Sequence, residues 1–155
     1  MSLCRGERLR VRTRATRALT EAGIPFEVRE FEAEAHTAAE AAVHLGIDPS
    51  QIFKTLVVRA DGSKILIAVV PGDRELNLRV LARHAAAKRV EMVDHSELMR
   101  LVGYIKGGVS PIGTKRIYPT FVDTSALQNE HISVSAGVRG VQIWIDPRDL
   151  VRVTN

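Results

Sequence analysis

The 155 residues are enough for one domain with a hydrophobic core, and 45% hydrophobic against 26% charged residues excludes a disordered or fibrous chain. No apolar run approaches the roughly 20 residues needed to cross a bilayer, and the start "MSLCRGERLRVRTR" lacks an apolar signal segment, so the expected location is the cytoplasm without membrane attachment. The single cysteine, Cys4, excludes an internal disulfide and a CxxC zinc site, while a net charge of +4 admits a polyanionic partner without requiring one.

At the N-terminus Arg5, Arg8, Arg10, Arg12, Arg14 and Arg17 face only Glu7, a pattern that fits a phosphate-contacting surface and a solvated helix face about equally. Apolar and small residues recur at helical spacing over residues 8–22, with Gly23 as a stop and Pro25 just beyond. "FEVREF" offers Phe26 and Val28 to a short strand. "HTAAEAAVHLG" begins a second helix, with Thr37 as N-cap, Glu40 completing a capping box and Gly46 closing it. "IFKTLVV" and "KILIAVV" are rich in β-branched residues and are separated by Asp61-Gly62, which predicts a hairpin whose second strand is buried on both faces.

"NLRVLARHAAA" follows as a helix capped by Asn77, and "DHSELMRLVG" as another, with Asp94 and Glu97 in capping-box positions and Gly103 as its stop. Beyond the glycine-rich loop "GYIKGGVSPIGTKR", the segments "TFVD", "HISVSA" and "VQIWI" read as strands. "DPRDLVRV" is a last helix with Pro147 in its first turn. Because the elements do not alternate as βαβα, the expected fold is a single α+β domain over residues 1–155, a curved or barrel-like mixed β-sheet flanked by helices.

Several familiar chemistries are absent. Gly108-Val-Ser-Pro-Ile-Gly113 has the glycine spacing of a P-loop, but Thr114-Lys115 reverses the required order and Pro111 removes a backbone N–H. Two residues separate Ser110 from Gly113, so there is no GxSxG nucleophile elbow. His36, His44, His84, His95 and His131 show no paired-ligand spacing. His44 and His84 read as surface or packed helix residues, and His36 precedes a helix cap where it also borders a candidate pocket. The acids are scattered among caps and helix faces rather than paired for general acid–base work.

What remains is Lys54 in an apolar strand and the glycine loop. Strand alternation puts Ile52, Lys54, Leu56 and Val58 on one side, so the ammonium shares its face with apolar neighbours. Two readings are open: a stem covering apolar surface with its charge reaching water, or a cation in a partly apolar pocket where attraction to an anion or carbonyl is little screened. Gly107 and Gly108 would let a ligand approach the backbone and leave N–H groups to donate to a developing oxyanion, with Pro111 stiffening the loop.

The segments "IFKTLVV", "VPGDRELNLRVLA", "AKRVEMVD" and "LVGYIKGGVSPIGTKR" resemble the YbaK-type aminoacyl-tRNA deacylases, which are related to the editing domain inserted in bacterial prolyl-tRNA synthetases. The resemblance runs over residues 18–153 and rests on FKTL and GGxSPxG occurring in that order and at that separation. It implies a trans-editing hydrolase, without cofactor or metal, that removes a wrong amino acid from tRNA. Its partners would be the tRNA acceptor end and prolyl-tRNA synthetase.

By the same resemblance Lys54 is the essential side chain, with Gly107 and Gly108 beside it at the catalytic centre. His36, Thr55, Ser110, Pro111, Gly113, Ser135, Gly137 and Gln142 surround the substrate. Arg10, Arg14, Lys106, Lys115 and Arg116 follow the phosphates. GGVSPIG implies Cys-tRNA(Pro) as substrate. Two departures, Gln142 where the cysteine-specific members carry a carboxylate and "EAHTAAEAAVHLG" in place of their "EHDP", keep alanine or another small amino acid as the alternative. A non-catalytic tRNA- or synthetase-binding module and a small-molecule ester or thioester hydrolase are the competing classes.

Overall fold

The computed structural model describes residues 11–31 and 37–154, so Cys4, Arg10 and His36 lie outside the described residues. Helix α1 covers Arg14–Glu21. The sequence pattern starts it at residue 8, but residues 11–13 are not helical. Thr13 stops the helix there: its hydroxyl accepts from the Thr16 N–H at 3.1 Å, and the Thr16 hydroxyl accepts from the Thr13 N–H at 2.9 Å. Strand β1 is Glu27–Glu30 and α2 is Ala38–Leu45, opened by the Thr37 hydroxyl accepting from the Glu40 N–H and closed by Gly46 in the left-handed conformation.

After a 3₁₀ turn at Pro49–Gln51 come β2, Phe53–Ala60, and β3, Lys64–Pro71, antiparallel along their whole length. Helix α3 is Leu78–His84, capped by Asn77 as expected, and β4 is Val90–Met92. The short helix α4, Leu98–Val102, follows a 3₁₀ turn at His95–Glu97. Here the predicted capping box does not form. Asp94 accepts from the Ser96 N–H, while the Glu97 carboxylate instead takes two hydrogen bonds from the Arg59 guanidinium and one from Arg100. Strands β5, Thr120–Val122, β6, Ile132–Ser135, and β7, Val141–Ile145, precede helix α5 at Pro147–Thr154.

The strands form two sheets, β1-β7-β6 and β4-β2-β3-β5, in a mixed α+β fold. All pairings are antiparallel except β3 with β5, and a parallel bridge between Ile52 and Ser133 joins the sheets. Among the described residues they do not close into a barrel.

Alternation along β2 and β3 explains the core. Phe53, Val57, Ile67 and Val69 meet Leu19, Ile132, Ile143 and Leu150 in the main cluster. Their neighbours Val58, Ala60, Leu66 and Ala68 pack under α3 in a second one, so β3 is buried on both faces as the pattern predicts. A third, small cluster of Ala41, Ala42 and Ile52 fixes α2 against the start of β2. The seam between the sheets therefore lies beside Lys54.

Candidate active site

A cleft of about 560 Å³ opens at this seam, walled by β2, α2, the turn before Gly108 and the ends of β6 and β7. Its polar lining includes Lys54, Thr55, Lys106, Ser135, Arg139 and Gln142, and its apolar lining includes Ile52, Phe53, Val93 and Leu98. Three cations reach it, and among the described residues no Asp or Glu lines it. Among the described residues, the cleft lining therefore carries positive charge with no carboxylate beside it.

Lys54 is the second residue of β2, opposite Val70, half-buried and without a carboxylate partner among the described residues. Beside it, the Thr55 hydroxyl is buried and makes no hydrogen bond there. A buried hydroxyl left unpaired costs about 1–3 kcal/mol, so this is a group with unused capacity at the wall of a cleft. On the opposite wall, buried Ser133 donates from its hydroxyl to Gln142 Oε1 at 2.8 Å. Gln142 Nε2 has no partner among the described residues. The Ser135 hydroxyl accepts from the Gly137 N–H.

The glycine loop begins with a turn in which the Gly108 N–H donates to the Ile105 carbonyl at 3.0 Å. Gly107 stands at the third position of that turn with φ +86°, a conformation natural to glycine. This corrects one expectation. The Gly108 N–H is committed to the turn and is not free to meet an oxyanion, whereas that of Gly107 makes no hydrogen bond among the described residues.

The predicted site residues divide in two. Lys54, Thr55, Lys106, Gly107, Ser135 and Gln142 line the cleft. Gly108, Ser110, Pro111, Gly113 and Gly137 do not, and they build the loops behind it. Ser110 is fully buried and accepts from the Ile112 N–H. A Cβ on Gly113 would lie 2.5 Å from the backbone of Arg14, and one on Gly137 would lie 2.5 Å from the Tyr104 ring. The Tyr104 hydroxyl donates to the Ile112 carbonyl at 2.6 Å. Burial pushes its pKa up to about 12, against the opposing influence of nearby Arg14 and of a hydrogen bond with Ser110.

Of the predicted phosphate contacts, Arg14 and Lys115 converge over Gly103, and Arg116 is exposed; none of these three lines the cleft. Contributors that were not anticipated include Gly72, Arg139 and His95. Gly72, in "VPGDR", lets α2 close over the cleft, since a Cβ there would lie 2.3 Å from that of Ala38. Arg139 brings the third cation; the sequence shows it only as a loop arginine before Gly140, with no local signal of a role.

A family model described as "aminoacyl-tRNA editing domain" matches residues 32–153. A protein of Enterococcus faecalis, named provisionally as a Cys-tRNA(Pro)/Cys-tRNA(Cys) deacylase, is 41% identical over 146 residues, spanning 93% of this chain and 89% of its own. The proline–tRNA ligase of Acidithiobacillus ferrooxidans is 34% identical over 139 residues, which are 86% of this chain but 24% of the ligase. Among solved structures, one described provisionally as a trans-editing enzyme for prolyl-tRNA synthetase superposes with a TM-score of 0.84 at 27% identity, covering 99% of this chain and 94% of that one.

Proposed function

The chain belongs to the aminoacyl-tRNA editing domain family, and from that premise we propose that it hydrolyses the ester of mischarged aminoacyl-tRNA, acting on the tRNA as a separate substrate. The observation that carries this reading is the cleft itself: Lys54 and the Gly107 turn face one space that holds three cations and, among the described residues, no carboxylate. That charge suits the end of a polyanion. Lys54 among the three cations also suits a reaction in which negative charge develops on a carbonyl oxygen.

Hydrolysis then proceeds without a protein nucleophile. The terminal aminoacyl-adenosine enters the cleft, and the Lys54 ammonium with the Gly107 N–H polarises the ester carbonyl. Water adds to the carbonyl carbon, the bond to the ribose oxygen breaks, and the free amino acid and the tRNA 3′ end leave. The neighbouring ribose hydroxyl carries the proton to the departing oxygen. The Thr55 hydroxyl and the Gln142 amide nitrogen are donors for the bound aminoacyl group. Proximity and charge supply the acceleration, since an activated ester needs no acylated enzyme intermediate.

Cysteine on tRNA(Pro) is the proposed substrate, in line with the name of the Enterococcus relative, and alanine or another small amino acid is the alternative. Prolyl-tRNA synthetase, part of which matches this chain in the Acidithiobacillus ligase, is the proposed source of the mischarged tRNA. The test is deacylation of tRNA(Pro) carrying Cys, Ala, Ser or Pro by wild type and Lys54→Ala. Loss of one non-cognate amino acid, reduced about 100-fold or more in the variant as for loss of a preorganised oxyanion donor, supports the reading. A fully active Lys54→Ala overturns the mechanism. A wild type that binds tRNA but cleaves none of the four esters is a binding module.

A further inference from the structure

Arg139 is not explained by ester chemistry, yet it occupies the space that Gly107 leaves open. A Cβ on Gly107 would sit 2.9 Å from Arg139 Nε and 3.0 Å from Nη2, so the guanidinium lies directly over the missing side chain. A Cβ on Gly108 would sit 3.2–3.3 Å from the backbone of Gly137, Val138 and Arg139. The Gly-Gly pair thus lets the loop between β6 and β7 dock on the turn and deliver the guanidinium to the cleft. Lys106, adjacent to Gly107 in the chain, brings its ammonium to the same rim. Both side chains are exposed, and neither has a carboxylate within ion-pair distance among the described residues.

An aminoacyl ester carries no negative charge of its own. The first anion met on leaving the terminal nucleoside is the phosphodiester on its 5′ side. A planar guanidinium presents paired N–H groups matched to two phosphate oxygens, and a lysine beside it adds a mobile point charge. We propose that Arg139, assisted by Lys106, grips the phosphodiester that joins the terminal nucleotide to the rest of the acceptor strand, so that the ester is held against Lys54. This rests on the deacylase reading and makes Arg139 a substrate-binding residue that recognises an RNA end rather than an isolated nucleoside.

The experiment compares wild type, Arg139→Gln, Arg139→Lys and Lys106→Gln on two substrates carrying the same amino acid: charged tRNA, and 3′-aminoacyl-adenosine without a 5′-phosphate. Loss of one charge-assisted phosphate contact lowers turnover of the tRNA by about 10- to 100-fold, mainly through KM. It changes turnover of aminoacyl-adenosine by less than about twofold and reduces the salt slope of tRNA binding by about one. Arg139→Lys recovers part of the loss, and Lys106→Gln shows the same substrate dependence more weakly.

Equal losses on both substrates, or none on tRNA, overturn the proposal. If Arg139→Gln fails to fold, the exposed Lys106→Gln carries the same comparison. A wild type inactive on both substrates removes the deacylase reading itself, before any variant is compared, and the proposal with it.

Discussion

Gly113→Ala is expected to be the most destabilising alanine substitution in the glycine loop, although Gly113 does not line the cleft. Two costs add at this position. The backbone is at φ +70°, where an L-residue costs roughly 1–2 kcal/mol. The new Cβ would also lie 2.5 Å from both the carbonyl carbon and oxygen of Arg14 and 2.8 Å from the nitrogen of Ala15. Those atoms are the first turn of α1, pinned by the Thr13–Thr16 cap and by burial of Ala15, so they cannot rotate away as a side-chain tip would. Overpacking of this kind costs about 1–3 kcal/mol. The sum is about 2–5 kcal/mol, or a fall in Tm of about 5–15 °C for a chain of this length.

Gly107→Ala has the same backbone cost at φ +86°, but its Cβ meets only the movable end of Arg139. Its expected loss is about 1–2 kcal/mol, with most of the damage appearing in tRNA turnover as the guanidinium is displaced. Thermal melts of both variants beside deacylation rates test the contrast. A Gly113→Ala protein melting within about 2 °C of wild type, or one more stable than Gly107→Ala, would refute this account of the loop.

Tyr104 and Glu97 give two pH-dependent predictions. With the Tyr104 pKa at about 12, the native phenol keeps its proton at pH values where the unfolded one, near 10, has lost it. Its contribution to stability is therefore complete below pH 10 and declines by about 3 kcal/mol between pH 10 and 12. Tyr104→Phe should cost about 1 kcal/mol at neutral pH through the lost hydrogen bond to Ile112 yet flatten the alkaline decline; urea titrations from pH 8 to 11 that keep the wild-type slope would contradict this. Hydrogen bonds from Arg59 hold the Glu97 carboxyl below its usual range, so its contribution is present above that range and disappears as pH falls through the lowered value. Arg59→Gln should therefore destabilise the protein at pH 7 and differ less from wild type at pH 3, and a gap in urea midpoint that stays constant would count against the pairing.

Most local rules were legible where the deciding partner lies close in sequence, the Thr13–Thr16 cap that starts α1 being the exception. Thr37, Asn77, Gly46 and Gly103 act as the sequence pattern predicts, because each bonds within a few residues of itself. The β2–β3 hairpin and the two-sided burial of β3 followed from composition for the same reason. Glu97 failed that logic. At capping-box spacing from Asp94, it binds instead Arg59, 38 residues earlier, and no local rule contains that competitor. The split into two sheets was equally hidden, since it depends on β1 pairing with β7 across the whole chain. In the site, Lys54 was visible as a polar residue in an apolar strand. Arg139 was not, because its relevance comes from packing on Gly107, 32 positions away.

Glycines of the 103–116 loop and of the β6–β7 loop satisfy two unrelated requirements. Gly113 and Gly137 are small because α1 and Tyr104 pass close by, which is a demand of the core. Gly107 and Gly108 are small because a neighbouring loop must dock, which places a cation at the cleft. From the sequence the four look alike, and the resemblance groups them around one substrate. The structure separates them by what a Cβ would strike: backbone or ring in the first pair, a displaceable guanidinium at Gly107. Stability and turnover should therefore fail independently along a single loop, which a uniform glycine-walled pocket would not predict.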